Sequence, residues 1–302
     1  MSGISTNRTN ISLPTDIAQE VMQKTQEASA IMRLARRINL PGRGLTIPVI
    51  TGDPEAAWVA ETGAKPVSNP SLSQKVMQAY KLAVIVPFSD EFRRDLPALY
   101  DAIVERLPGA LALKFDQTVM GAAVKPGENF DSFANCTAQS IVPAQGHTAY
   151  DGLVAAYADI AAHNGVLNGF GVSPAAMGIL LASTDSVGRP LFTNGVGEGN
   201  VNRILGASVY EGRGLYKAGA AGEGTAAGTP AVVGVAGDWT QAMYGTVEGV
   251  QIRFADQTGL TIASEQVNLW EHNMFAVRAE IEVGFRADTA CFNTLTGATP
   301  NA

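Results

Sequence analysis

Three histidines are the first candidates for catalysis or metal binding in this chain. His147, His163 and His272 are widely spaced, and none belongs to an HExxH pattern. His163 follows a predicted helix, where it lies near the negative end of the helix dipole. The GxSxG pattern of a serine nucleophile is also absent from the sequence. The sequence therefore contains no recognised catalytic motif, although an active site can still be assembled from residues that are distant in sequence.

A pair of carboxylates, Glu280 and Glu282, lies on one face of a predicted strand. Such a pair can perform acid–base catalysis. Arg278 and Arg286 alternate with it on the same face, so we expect cross-strand ion pairs instead.

Two glycine-rich segments look like phosphate-binding loops at first sight, NGVGEGN at 194–200 and GAAGEGTAAG at 219–228. Neither matches GxGxxG or GxxxxGK[ST], and neither lies between a predicted strand and a helix. We expect both to be flexible surface loops. The sequence thus predicts no cofactor.

The composition of the 302 residues is typical of a protein that covers much of its surface with partners. Apolar residues make up 46% and charged residues 16%, against roughly 25% charged residues in an ordinary soluble domain. The net charge is −7, and the one basic cluster is Arg33, Arg36 and Arg37. We interpret this cluster as a solvated helix end. Sequence-specific nucleic-acid binding is therefore not expected, because phosphate neutralisation needs many cations together.

The cysteines, the N terminus and the lengths of the apolar runs disfavour disulfide-rich, zinc-binding, secreted and membrane-spanning proteins. Cys136 and Cys291 are far apart in sequence, so neither a disulfide framework nor a zinc site is expected. The N terminus lacks a signal-peptide pattern, and no apolar run is long enough to span a membrane. We expect a protein that stays in the cytoplasm where it is made.

A helix is predicted to begin near Asp16, with Thr15 or Ser12 as its cap, and to end before NLPGRG at 39–44. Its apolar face consists of Ile17, Val21, Ala28 and Ile31.

An extended two-stranded ribbon is predicted over residues 45–88. Its tip contains WVAETGAKP at 58–66, and its return strand alternates between two faces. One face of that strand consists of Tyr80, Leu82, Val84 and Val86. Because a ribbon of this length is marginal alone in water, we expect another subunit to steady it.

A long helix follows the ribbon. Ser89 is a suitable N-cap, and apolar residues then recur every three or four positions at Leu96, Leu99, Ile103, Leu107 and Leu111. Pro108 interrupts this pattern, so we predict a kink or a break there.

The remaining chain mixes short helices and strands. Thr148 and Asp151 predict a capping box for a helix that Asn164 ends, and Ser173 opens a second helix. Strands are predicted at GFGV, ILGASVY, AVVGVAG and VQIRFA. The last long strand, NMFAVRAEIEVGFR at 273–286, has one buried face and one largely charged face. Strands and helices do not alternate as βαβ units, so the predicted fold class is α+β.

The order of these parts resembles the major capsid protein of tailed phages of the Hong Kong 97 type. The likeness rests on WVAETGAKP, on PFSDEFRRDLPALYDAIVERLPGALALKFDQTVMG, on ILGASVY and on NMFAVRAEIEVGFRADTACFNTL. It implies a capsid fold with an N-terminal arm, an extended E-loop ribbon, a peripheral domain with a long spine helix and a long strand, and an axial domain. The implied divisions are the arm and short helix at 1–38, the E-loop ribbon at 39–88, the spine-helix part of the peripheral domain at 89–139, the axial domain at 140–256 and the C-terminal strand part at 257–302.

The resemblance also implies a function. The chain would be a structural, non-enzymatic head-shell protein that assembles into hexamers and pentamers of an icosahedral phage head around double-stranded DNA. Its partners would be other copies of itself, a separate scaffolding protein, a portal and decoration proteins. No fused scaffolding domain is expected, because the chain begins almost directly at the arm, so either the scaffold is a separate protein or this chain is the processed form. Assembly would take place in the host cytoplasm and end in the virion, without a membrane, a cofactor or a metal.

By the same resemblance, the ribbon tip lies over a neighbouring subunit. The implied inter-subunit contacts are Trp58, Glu61, Lys65, Lys75 and Lys81.

Some members of that family also join their subunits by an isopeptide bond between a ribbon lysine and an asparagine, assisted by a glutamate. Lys65, Asn273 and Glu280 match this pattern. The alternative is that Lys65 is a solvated charge, Asn273 ends a turn and Glu280 pairs with an arginine.

Three other functions remain open at this point. The first is an encapsulin-type shell of a bacterial compartment, which has the same fold. The second is a cytoplasmic enzyme with an unrecognised site, which predicts a compact oligomer with one deep polar pocket. The third, a carbohydrate-binding or tail-adhesion protein, is disfavoured because aromatic residues make up only 7% of the chain.

Overall fold

The structure is a computed structural model, which describes residues 15–42, 44–50, 58–59, 72–91, 96–143, 147–185, 187–192, 203–222, 228–262 and 265–299. The helices in these ranges are α1 (Thr15–Ala28), α2 (Ala30–Leu34), α3 (Leu96–Val119), α4 (Ala149–Ala162) and α5 (Pro174–Ala182). The strands are β1 (Arg36–Asn39), β2 (Leu45–Ile50), β3 (Leu72–Met77), β4 (Tyr80–Ser89), β5 (Thr137–Ser140), β6 (Gly169–Val172), β7 (Arg203–Ile204), β8 (Ala207–Glu211), β9 (Val232–Gly237), β10 (Ala242–Thr246), β11 (Gln251–Ala255), β12 (Gly259–Ile262), β13 (Glu265–Asn268), β14 (Met274–Ala287) and β15 (Phe292–Thr296).

Two main sheets organise the molecule. The first sheet has the order β1–β10–β14–β11, and β4 also pairs with β14. The second sheet has the order β5–β15–β9–β6–β8–β7. Two further pairs, β2 with β3 and β12 with β13, form separate two-stranded ribbons. The α+β class predicted from the sequence is confirmed.

The long strand β14 is the centre of the first sheet, as its alternating pattern predicted. It pairs antiparallel with β4 from Met274 opposite Ser89 to Val283 opposite Tyr80. Its predicted inner face is buried: Phe275, Val277, Ala279, Ile281, Val283 and Phe285. Part of this face packs with Val21 of α1 and with Leu107 and Leu111 of α3.

A cluster of aromatic rings fills the space between the two sheets. Phe133 stacks on Phe292 with ring centroids 4.7 Å apart, and Trp239 meets Phe292 edge-on at 5.2 Å. Phe285 of the first sheet contacts Phe133 at 5.6 Å. Because such pairs add to the free energy gained by burial, this cluster joins the two sheets into one body.

The N-terminal helix breaks earlier than its sequence pattern predicts. Ser29 interrupts it in an extended conformation, and its hydroxyl accepts a hydrogen bond from Met32 N as the cap of α2. The chain then forms β1, which pairs in parallel with β10. The predicted solvated helix end is therefore wrong for Arg36 and Arg37, which lie on this exposed strand.

A buried carboxylate explains the break at Ser29. Asp116 of α3 accepts hydrogen bonds from the Ser29 hydroxyl at 2.5 Å and from Ala30 N at 3.1 Å. Burial raises the pKa of Asp116 to about 7, although its hydrogen bonds act in the opposite direction. The start of α2 is thus fixed by a residue 87 positions away in sequence, which a local pattern does not reveal.

The long helix differs from its prediction at Pro108. Helix α3 continues through this residue without a break, so the predicted break is wrong. The helix is held by packing on both sides of the proline, since Leu107 and Leu111 are buried against the first sheet. This packing offsets the loss of one backbone hydrogen bond at Pro108.

The two sheets do not follow the order of the predicted segments, whose boundaries stay a prediction. Strands β10 and β11 fall within the predicted axial segment 140–256, yet they pair with β14 of the first sheet. Strand β15 falls within the predicted peripheral segment 257–302, yet it lies in the second sheet between β5 and β9. Partner strands are chosen by tertiary pairing, which local composition does not show.

The local signals in the second sheet are confirmed. Thr148 and Asp151 form the predicted capping box at the start of α4. Asn164 adopts a φ of +59° after that helix, and Ser173 caps α5.

Candidate inter-subunit surface

The ribbon predicted over residues 45–88 divides into two parts. Strands β2 and β3 form the two-stranded ribbon, from Leu45 opposite Met77 to Ile50 opposite Leu72. The return strand then continues as β4, which belongs to the first sheet instead. The predicted alternation in β4 is confirmed, because Leu82 and Val84 are half-buried whereas Lys81 and Ala83 are exposed.

Trp58 is the most exposed large apolar side chain in the described part of the chain. Its relative exposure is 105%, and the adjacent Val59 is also exposed. A fully solvated tryptophan is unfavourable for an isolated protein, because its large apolar surface gains free energy when it leaves water. Trp58 is therefore suited to contact another molecule.

The root of the ribbon, at Val76 and Met77 of β3, is fixed by a network of hydrogen bonds around Arg286 at the end of β14. Its Nε and Nη2 donate to the carbonyl oxygen of Val76 at 2.8 and 2.6 Å. Its Nη1 donates to Asp131 Oδ1 at 2.8 Å, and Nη2 also donates to Asn129 Oδ1 at 2.9 Å. Asp131 is oriented in turn by a hydrogen bond from Ala287 N. The network ties β3 to the end of the long strand.

Lys75, one of the predicted contact residues, also reaches the end of β14. Its Nζ donates to the carbonyl oxygen of Ala287 at 3.1 Å. Within one chain, Lys75 therefore helps to anchor the ribbon.

Two facing glycines make room for the ribbon root. Gly245 of β10 lies opposite Gly284 of β14, and the fully buried Met77 packs over both. A β-carbon on Gly284 would lie 2.5 Å from the carbonyl oxygen of Gln78, and one on Gly245 would lie 2.9 Å from Met77 Sδ. The sheet therefore needs glycine at both positions to receive Met77.

Lys81, another predicted contact residue, forms ion pairs across the sheet. Its Nζ lies 3.3 Å from Glu280 Oε1 and 3.4 Å from Glu282 Oε1. The hydrogen bond to Glu280 is the main reason that the pKa of Lys81 is raised, and Glu282 adds to it. Arg278 pairs with the other oxygen of Glu280 at 3.3 Å. Cross-strand ion pairs are thus present, but Lys81 forms them. The two arginines expected to do so have other partners, since Arg278 pairs with Glu280 of its own strand and Arg286 pairs with Asp131.

Asn273 and Glu280, two of the three residues of the cross-linking pattern, are not brought together within one chain. Asn273 is exposed in a turn with a φ of +50°, and its carbonyl oxygen accepts from Asp90 N. Glu280 follows seven residues later on β14, which corresponds to about 23 Å at about 3.3 Å per strand residue. Lys65 and Glu61 lie outside the described residues. The groups of Asn273 and Glu280 can therefore meet only if they come from different copies.

The described ranges contain neither a metal-binding cluster nor a membrane-spanning helix. No group of three or more His, Cys, Asp and Glu side chains there is arranged to hold a metal ion. No helix in those ranges is long and apolar enough to cross a membrane.

Sequence reasoning missed the root of the ribbon. Arg286 was expected only to alternate with Glu280 and Glu282, and neither Asp131 nor the facing glycines were singled out. The one available signal was that β14 is charged on its outer face but carries glycine at position 284.

Comparison with known proteins identifies the family of the chain. The model of the phage capsid family matches residues 10–289. The chain belongs to the phage capsid family. The capsid chain is 29% identical over 290 residues to a probable major capsid protein of Mycobacterium phage L5, covering 90% of this chain and 84% of that protein. A probable major capsid protein of Mycobacterium phage D29 is 26% identical over 288 residues, covering 90% and 86%.

Solved structures are similar to the capsid chain in fold. A chain from Gordonia phage Cozz superimposes with a TM-score of 0.69 at 22% identity and covers 90% of this chain and 87% of its own length. The capsid of an empty GTA particle, computed with C5 symmetry, gives a TM-score of 0.62 at 15% identity and covers 90% of both chains. The chain has the Hong Kong 97-type fold and is a major capsid protein of the tailed-phage type. The encapsulin alternative is not favoured.

Proposed function

We propose that this capsid protein assembles with copies of itself into the hexamers and pentamers of an icosahedral phage head that encloses double-stranded DNA. Membership of the capsid family makes the chain a virion component that associates with its own copies. The observation that carries the finer proposal is the ribbon β2–β3, which is fixed at its root, together with the fully exposed Trp58 in the sequence between its two strands.

The ribbon contacts a neighbouring copy in this proposal. Residues at or near it supply the contacts: Trp58, Glu61, Lys65, Lys75 and Lys81. Covering Trp58 on a second copy would remove its apolar surface from water. The hydrogen-bond network around Arg286 supports this arrangement because it sets the direction in which the ribbon leaves the subunit.

Further partners and the place of assembly are part of the same proposal. A separate scaffolding protein, a portal and decoration proteins would act with the shell in the host cytoplasm. The chain would enclose DNA without sequence-specific binding, because its net charge of −7 does not favour strong phosphate binding. The role is structural rather than enzymatic.

Shortening the ribbon tests the proposal. Deletion of residues 62–71 removes a segment between Val59 and β3, and the hydrogen-bond network around Arg286 stays intact. We expect the variant to unfold at nearly the wild-type temperature but to form no closed shells in electron micrographs. A variant that forms shells as well as the wild type would overturn the proposed role of the ribbon.

Covalent joining of copies is a separate proposal that rests on the sequence pattern. The Nζ of Lys65 in one copy would attack the side-chain carbonyl carbon of Asn273 in another, releasing ammonia and forming an isopeptide bond. Glu280 of a further copy would accept the proton of the amine. On a denaturing gel, wild-type particles would then run as covalent multimers and the Lys65→Arg variant as single chains. Wild-type particles that run as single chains would exclude the cross-link.

A further inference from the structure

Helix α4 presents an apolar stripe that nothing in the described part of the chain covers. Tyr150, Val154 and Tyr157 are spaced by four and three residues, so they share one side of the helix. Their relative exposures are 46%, 39% and 52%. We call these three residues the α4 stripe. Leu153 and Ile160 of the same helix are fully buried against the second sheet, so the exposure belongs to one side of a well-packed helix.

A second exposed patch lies around Tyr216. It consists of Leu113 and Lys114 of α3 together with Arg213 and Tyr216, and all four are exposed. The turn and the helix touch, because a β-carbon on Gly214 would lie 2.9 Å from the carbonyl oxygen of Leu113. We call these four residues the Tyr216 patch.

The α4 stripe and the Tyr216 patch lie on opposite faces of the second sheet. Leu153 of α4 packs in the cluster that contains Phe170 and Leu295. Leu215, next to Tyr216, packs in the other cluster, which contains Trp239 and Phe292. A subunit in a ring meets its two neighbours through two different surfaces on opposite sides. The two patches are therefore placed as a head-to-tail contact requires.

The charges around the two patches have opposite sign. The charged residues of α4 are Asp151 and Asp159, both acidic. The Tyr216 patch carries Lys114 and Arg213, and Lys217 lies beside it, with Glu211 as the nearby acidic residue in sequence. Opposite charge around an apolar centre favours one orientation of approach and disfavours contact between like patches.

We propose that the α4 stripe of one copy packs on the Tyr216 patch of the next copy in a ring. This inference rests on the proposed shell function and names the surfaces by which neighbouring copies recognise each other. The two tyrosines of the stripe are of the residue type that dominates interface energetics. The contact is heterologous, and a heterologous contact forms a ring when the rotation between successive copies closes.

A pair of blocking variants tests the contact. Val154→Glu places a charge in the middle of the α4 stripe, and Tyr216→Glu places an acid against the acidic helix. Ala162→Glu is the matched control, because Ala162 is an exposed residue of α4 on a different side of the helix. Each protein is studied alone and in a 1:1 mixture by sedimentation and electron microscopy, after circular dichroism has confirmed folding.

The proposal predicts a distinctive result for the mixture. Val154→Glu and Tyr216→Glu each lose rings and shells, whereas Ala162→Glu assembles like the wild type. When mixed, the intact patch of the first variant binds the intact stripe of the second, and the product stops at pairs because both outer surfaces are blocked.

Other results would overturn the inference. If Val154→Glu assembles normally, another molecule such as a scaffolding protein covers the stripe, and the shell function stands without this contact. If Tyr216→Glu alone forms pairs, the stripe binds another stripe rather than the Tyr216 patch. If the wild type does not associate at any concentration, both this contact and the proposed shell function are contradicted.

Discussion

Arg286 donates two hydrogen bonds to the carbonyl oxygen of Val76, although the two residues are 210 positions apart in the sequence. The same guanidinium pairs with Asp131 at 2.8 Å, and both side chains are largely removed from solvent. A planar, permanently charged group that binds two partners at once fixes both the position and the direction of the strand that it holds. The ribbon therefore leaves the first sheet from a rigid root.

Replacing Arg286 tests the root directly. We expect Arg286→Gln to lower the free energy of unfolding by about 2 kcal/mol, because Asp131 and the Val76 carbonyl lose a charged donor. Amide hydrogen exchange in β3 should accelerate more than exchange in β14, and urea denaturation gives the change in stability.

Lys81→Gln is the control for Arg286→Gln. It removes the exposed ion pairs of the same sheet and should change stability little. Equal exchange rates in β3 for Arg286→Gln and for the wild type would show that the guanidinium does not hold the ribbon.

The facing glycines, Gly245 and Gly284, predict that a larger side chain at the root of the ribbon lowers stability. Gly284→Ala would bring a β-carbon 2.5 Å from the Gln78 carbonyl oxygen, so Met77 and the backbone around it must shift. We expect a loss of about 1–3 kcal/mol in thermal or urea unfolding. Gly249→Ala is the matched control, because nothing lies within 4 Å of its β-carbon position. If both variants are equally stable, Met77 is not packed as described.

The buried Asp116 predicts a dependence of stability on pH. Its pKa is raised from the usual value to about 7, so the folded protein binds the proton more tightly than the unfolded chain does. The stabilisation is complete below about pH 4 and is lost as the pH rises to about 7, a change of up to about 4 kcal/mol. Urea denaturation across this range should show wild type losing stability relative to Asp116→Asn.

Asp238 is a control for Asp116, because its pKa is shifted in the opposite direction and its effect on stability has the opposite pH dependence. Burial raises its pKa, but hydrogen bonds from Thr240, Val166 and Asn168 outweigh burial and lower it overall. Its contribution is present above about pH 4 and is lost as the pH falls through its lowered pKa. A stability difference between wild type and Asp116→Asn that does not change between pH 4 and 7 would contradict the buried hydrogen-bonded carboxylate.

Two helical glycines predict effects of opposite direction. Gly109 is an exposed residue of α3 with nothing within 4 Å of its β-carbon position. Gly109→Ala should therefore stabilise the protein by about 0.5–1 kcal/mol. Gly152→Ala in α4 should destabilise it, because the new β-carbon would collide with the carbonyl oxygen of Ser140. A melting temperature of Gly152→Ala that equals or exceeds that of the wild type would contradict the packing of α4 on β5.

Hydrophobic periodicity and capping residues were sufficient to predict the elements whose structure depends on neighbouring residues in the sequence. The alternation of β14 and the capping box at Thr148 are examples, and the order of the parts pointed to the capsid fold. Features decided by distant partners were missed. Asp116 breaks the first helix at Ser29, β15 joins the second sheet from the far end of the chain, and Arg286 reaches the ribbon. The predicted contacts at Glu61 and Lys65 lie outside the described residues and stay predictions.

The most direct test of the shell function is electron microscopy of the purified wild-type chain, with light scattering on the same sample. The proposed function predicts closed shells, or rings of five or six subunits, that are lost when residues 62–71 are deleted. A wild-type protein that remains a uniform monomer or dimer at every concentration would contradict it.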